Sequence, residues 1–135
     1  MTGINVDAES RPFWDGIAEG ELRLQRCRDC ARAVFYPRVF CPHCFGGRLD
    51  WFTATGAGTV YSYTVAHRAP GEFAGQVPFV VALVDLDEGV RMLTRILGAG
   101  PGDVRIDARV RLDVARLGDA EDSPELPCFR VVEAA

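Results

Sequence analysis

Four of the five cysteines in this 135-residue chain fall into two matching pairs: Cys27-Arg-Asp-Cys30 and, ten residues later, Cys41-Pro-His-Cys44. Two Cys-x-x-Cys knuckles let four thiolates converge on one tetrahedral ion, and each knuckle turns backbone amides toward its sulfurs. A set closed by four sulfurs leaves no position for a reacting water, so the chemistry it points to is a structural zinc ion. Soft thiolates would also accept iron in an electron-transfer site, and paired dithiols can cycle as a redox centre. Nothing else in the chain suggests electron transfer, and two dithiols so close together suit one metal better than two redox pairs. His43 lies inside the second knuckle, where a complete cysteine set leaves it an exposed tip residue. The fifth cysteine, Cys128, stands beside Phe129 and reads as a buried, apolar-like thiol.

Other catalytic patterns fail on spacing or composition. Ser10, Ser62 and Ser123 lie in no nucleophile elbow, and neither histidine can be tied to them. Gly56-Ala-Gly58 lacks the third glycine and the helix of a dinucleotide fingerprint and marks a bend or bulge instead. The acids Asp85, Asp87 and Glu88 fall in a solvated turn. All fifteen cations are arginine, so Schiff-base chemistry and a P-loop lysine are excluded. The stretch Ala66–Pro78 is different: a strand ending at His67 and Arg68 runs into a Gly- and Pro-containing connection that carries Phe73. Long ordered loops in small domains are frequent binding surfaces.

The elements that must position these residues follow from periodicity. Ser10 is placed as an N-cap, Pro12 suits a first turn, and Phe13, Trp14, Ile17 and Ala18 recur at helical spacing before Gly20 ends the helix. So short an amphipathic helix must pack its Phe13 and Ile17 face on something, in this chain or in a partner. Leu22-Arg-Leu24 leads into the first knuckle, and Ala33-Val-Phe-Tyr36 supplies a strand between the knuckles. Beyond Trp51, strands are expected at Thr59–Val65, Phe79–Leu86, Val90–Leu97, Arg109–Ala115 and Phe129–Val132, with Asp87-Glu-Gly89 a hairpin turn. Five strands without a long helix between them predict a small antiparallel barrel. The division expected is a helical segment 1–21, a zinc ribbon 22–49 and a barrel domain 50–135.

Composition narrows the class further. Hydrophobic residues make up 48% and charged residues 25%, a globular balance. The net charge of −4 opposes general nucleic-acid binding. Charge is unevenly divided: residues 22–48 hold six arginines against Asp29, a net of +5, between acidic flanks. No membrane-length apolar run and no leader-like N-terminus are visible, so a cytoplasmic protein is expected.

Phe13-Trp14-x-Gly16, Leu24-Gln-Arg-Cys27, the two knuckles, Gly58-Thr-Val-Tyr61-Ser62-Tyr63-Thr64-Val65 and Pro78-Phe-Val-Val-Ala-Leu83 together resemble the DUF35 family, in order and from about Arg11 to Val132. The resemblance implies a mainly β architecture: an N-terminal helix, a rubredoxin-like zinc ribbon and a C-terminal OB-fold. It places the zinc ligands at Cys27, Cys30, Cys41 and Cys44. Ala31 and Phe45 stand where glycine commonly follows each second cysteine of the family. It also implies a non-catalytic accessory role beside thiolases, lipid-transfer-type (SCP2-like) aldolases or MaoC-like enoyl-CoA hydratases, helping to bind acyl-CoA thioesters. Candidate contacts for the thioester or partner are Phe13, Trp14, Arg38, His67, Arg68 and Phe73. Two other readings compete. One is a single-stranded nucleic-acid binder that stacks bases on Trp51, Tyr61 and Tyr63. The other is an independent acyl-CoA hydrolase, for which His67 and Cys128 are the only candidates.

Overall fold

A computed structural model of the chain describes residues 6–100, 102–118 and 124–132. Helix α1 spans Arg11–Ala18 and buries Phe13, Gly16 and Ile17. Ser10 occupies the N-cap position but its hydroxyl caps nothing in the helix. It instead accepts the Asp7 amide at 3.1 Å, while the Ser10 amide donates to the Asp7 carboxylate at 2.8 Å. Gly20, at φ 79°, turns the chain out of the helix. Gly16 is needed for contact, because a Cβ there would lie 2.8 Å from the Arg23 side chain on the next strand.

Strand β1 (Arg23–Cys27) is the centre of a three-stranded antiparallel sheet, flanked by β2 (Ala33–Val34) and β3 (Leu49–Thr53). The expected Ala33–Tyr36 strand is therefore two residues long: Phe35 and Tyr36 leave the ladder and pack against α1, with the Phe13 and Phe35 rings 5.6 Å apart. Next come β4 (Ala57–Ala66), a short 3-10 helix (Gly71–Gln76), β5 (Phe79–Leu86), β6 (Arg91–Ile96), β7 (Arg109–Leu112), β8 (Ala115–Arg116), β9 (Glu125–Leu126) and β10 (Phe129–Val131).

Five of these strands close a barrel in the order β10-β6-β5-β4-β7. Its closure corrects one expectation. The barrel is not wholly antiparallel, because β10 runs parallel to β6 at Phe129↔Ile96 while pairing antiparallel with β7. A second correction concerns the alternating run 109–115, which is broken. β7 ends at Leu112, and Ala115–Arg116 pairs with β9 in a small ribbon outside the barrel. Gly58 sits where β4 and β5 approach too closely for a side chain: a Cβ would lie 2.7 Å from the Asp85 carbonyl. The bulge falls a little later, between Val60 and Ser62.

Alternation on β5 puts Val80, Ala82, Val84 and Leu86 inside the barrel. One apolar cluster joins these to Val60, Ile96, Val110 and Phe129 and continues into Phe13, Ile17, Leu22 and Leu24. Helix and ribbon base therefore share the barrel's core, which answers what the short helix packs on. The ribbon tip has a separate small cluster of Cys27, Val34 and Cys41.

Candidate functional site

The two knuckles are built alike. The Ala31 amide donates to the Cys27 carbonyl at 2.9 Å and the Phe45 amide to the Cys41 carbonyl at 2.8 Å. Ala31 and Phe45 both have φ 65°, the left-handed conformation in which glycine is unstrained. The Cys27 and Cys44 sulfurs are 3.6 Å apart, as are those of Cys30 and Cys41, and all four lie within 4.8 Å of one another. A tetrahedron of zinc–sulfur bonds near 2.3 Å has edges of about 3.8 Å, so the donor set fits zinc in both chemistry and spacing. The His43 backbone amide lies 3.4 Å from the Cys41 sulfur, while the His43 side chain is exposed. Burial works against a Cys41 thiolate, but the amides of Cys44 and His43 together with the neighbouring Cys30 and Cys44 thiols bring it down to about 7. Asp29 of the first knuckle pairs with Arg48 beyond the second, tying the two together.

The repeated left-handed residue yields a prediction. Ala31→Gly should stabilise the zinc-loaded protein by about 1 kcal/mol, by removing the Cβ penalty at positive φ. Thermal unfolding should show a midpoint raised by about 2–5 °C, with metal content unchanged.

The basic stretch is less basic in space than along the chain. Arg23 is held by Glu19 and Glu21, Arg28 by Asp50 at 2.6 Å, and Arg48 by Asp29. Arg26 lies over the Phe52 ring at 4.4 Å. Arg38 is exposed, and its backbone exchanges two hydrogen bonds with the buried Gln25 side chain. His67 and Arg68 are exposed and follow directly after the end of β4.

The remaining candidates converge. Phe13, Trp14 and Phe73 line an apolar groove of about 400 Å³ between α1, the loop after β2 and the outer face of the barrel. The indole of Trp14 donates to the Tyr36 hydroxyl at 3.0 Å. His67, Arg68 and Arg38 do not line the groove. Residues that sequence reasoning did not single out do: Phe79 and Val81 from β5, Leu93 and Arg95 from β6, and Leu117 and Leu126 around the outer ribbon. One signal was available. On β6, Leu93 takes an outward place between Arg91 and Arg95, and 68% of it is exposed. Cys128 is in the groove wall, 1% exposed, and burial pushes its thiol up to about 11. That is the environment of an inert thiol, not of a nucleophile.

A short helix and a four-cysteine ribbon, joined through one core to a closed five-stranded barrel, define the class: a zinc ribbon–OB-fold protein. Family models for ChsH2 agree, the rubredoxin-like zinc ribbon domain matching residues 14–50 and the C-terminal OB-fold domain residues 51–115. The chain belongs to the DUF35 family. It is 35% identical to a DUF35 domain-containing scaffold protein of Methanocaldococcus jannaschii, over 72% of this chain and 70% of that one. It is 41% identical to a probable enoyl-CoA hydratase alpha subunit of Thermomonospora curvata, over 87% of this chain but 36% of the relative. The chain thus spans about a third of that subunit's length. Benzoylsuccinyl-CoA thiolase subunit BbsA of Thauera aromatica is 28% identical over 81% of this chain and 74% of its own. Among solved structures, the Ltp2-ChsH2(DUF35) aldolase superposes with a TM-score of 0.81 at 35% identity, covering 96% of this chain and 98% of that one.

Proposed function

We propose that this protein is a non-catalytic accessory subunit of an acyl-CoA-processing complex. Its partner is a thiolase, a thiolase-like aldolase or a MaoC-like hydratase, and the subunit helps to bind the acyl-CoA thioester. The observation that carries this reading is the near end-to-end match, in fold and sequence, to a chain from an aldolase assembly. The hydratase and thiolase subunits among the relatives point the same way. Cys27, Cys30, Cys41 and Cys44 hold one structural zinc ion, which orders the two knuckles at the ribbon tip. Neither His67, exposed and outside the groove, nor Cys128, a buried protonated thiol, is set up as a nucleophile–base pair.

Several observations favour this reading over nucleic-acid binding. Tyr61 is covered by the Arg91 guanidinium at 3.5 Å, and Arg91 and Arg109 are held by Asp85 and Asp87. One proposed stacking face and two neighbouring cations are thus engaged within the chain, and the net charge of −4 opposes a polyanionic partner.

Co-expression with a thiolase-like, aldolase-like or hydratase-like protein encoded beside this chain tests the proposal. The two should co-elute on gel filtration, and turnover of an acyl-CoA should require both. Full turnover by the partner alone, unchanged on adding this chain, overturns it.

A further inference from the structure

Among the described residues, one charged group lines the groove. Two polar side chains described there are already engaged: the Trp14 indole donates to Tyr36, and the Thr94 hydroxyl donates to the Pro127 carbonyl at 2.8 Å. Arg95 differs. Its guanidinium lies over the Phe79 ring at 4.0 Å and makes one hydrogen bond, at 2.6 Å, to the neutral Gln76 side chain. Among the described residues it has no carboxylate partner. Gln76 is itself anchored to the Leu117 carbonyl at 2.6 Å, so the guanidinium is braced from behind. Burial acts against its charge. An always-charged, planar group carries five N–H donors, and here most of them remain for a ligand at the edge of an apolar cavity.

We infer that the groove binds an aromatic or alicyclic carboxylic acid, with its ring against the apolar walls and its carboxylate on Arg95. The volume of about 400 Å³ lies within the range of small-molecule sites. One guanidinium matches one carboxylate in charge and fork geometry. A dianionic phosphate would bring a larger desolvation cost and a second charge that nothing in the groove offsets. This inference does not depend on the partner proposed above.

Naphthoate and its neutral amide, titrated into the zinc-loaded full chain by calorimetry, provide the test. The acid should bind at least about tenfold more tightly than the amide, as expected of a charge-assisted pair. Arg95→Met, which removes the charge but keeps an unbranched apolar side chain, should abolish that preference while still binding the amide. Arg95→Lys should retain part of the preference, since it keeps the charge without the fork. Leu126→Trp, which fills the groove, should remove both ligands. No binding at millimolar concentration, or an acid preference that survives in Arg95→Met, overturns the inference.

Discussion

Cys41→Ser is expected to abolish zinc binding and to unfold the ribbon tip while leaving the barrel folded. The reason is the size of the ribbon's own core. Its buried cluster comprises Cys27, Val34 and Cys41, with Cys30 and Leu49 packed against it. Two of the three buried members belong to the proposed ligand set, so without metal almost no apolar burial remains to offset the entropy of ordering two knuckles. Structural zinc in ribbon-sized peptides contributes about 10–16 kcal/mol of apparent binding free energy, which becomes folding free energy when no preformed site exists. Metal analysis should find one zinc per wild-type chain and none in the variant. Amide exchange should show lost protection from about Cys27 to Arg48, with Val60 and Val84 in the barrel still protected. A chelator should act on the wild type in the same way. Ribbon amides that stay protected after the metal is removed would sink the structural role.

Phe129→Ala is expected to cost about 3–5 kcal/mol, the range for truncating a fully buried phenylalanine. Phe129 is 0% exposed and sits where the barrel closes. It pairs with Ile96 on one side and Leu112 on the other, and its carbonyl accepts the Leu97 amide at 2.8 Å. β10 has three residues, so little of the seam survives a cavity at its first position. Thermal unfolding of the zinc-loaded protein should begin about 10–20 °C lower. Phe129→Leu, which keeps most of the volume, should recover much of the loss. A shift of only a few degrees for the alanine variant would show that the β6–β10 seam is dispensable.

Much of the fold was legible because local rules and burial agree. β5 is a short apolar run followed by the Asp87-Glu-Gly89 turn, so its strand and hairpin partner could be read, whereas its alternating burial appears only in the structure. The knuckles were legible for a stricter reason. Metal chemistry demands thiolates at fixed spacing, and two Cys-x-x-Cys pairs so close together suit one closed metal site better than a redox pair. Even the departures at Ala31 and Phe45 carried information, since both residues adopt the conformation usually left to glycine.

Three features were not legible. The parallel β6–β10 pairing depends on barrel closure, which no local pattern encodes. The ribbon's apparent charge of +5 misled because Glu19, Glu21 and Asp50, which neutralise Arg23 and Arg28, lie outside the stretch over which it was counted. The groove draws on α1, the loop after β2, both outer-facing barrel strands and the outer ribbon, so its residues are scattered between Phe13 and Cys128. Apolar residues facing outward from a strand look like errors in alternation until the other walls are in place.

The sequence alone therefore determined the metal chemistry, the class of fold and the absence of lysine-based catalysis, because each depends on residue type and short-range spacing. Tertiary structure alone decided which arginines keep a free charge. Arg23, Arg28 and Arg48 of the ribbon meet carboxylates, whereas Arg95 meets Phe79 and a neutral amide at the edge of an apolar cavity. Coulomb pairing acts through space rather than along the chain. A count of charges by segment could not distinguish a neutralised cation from one held ready for an anion.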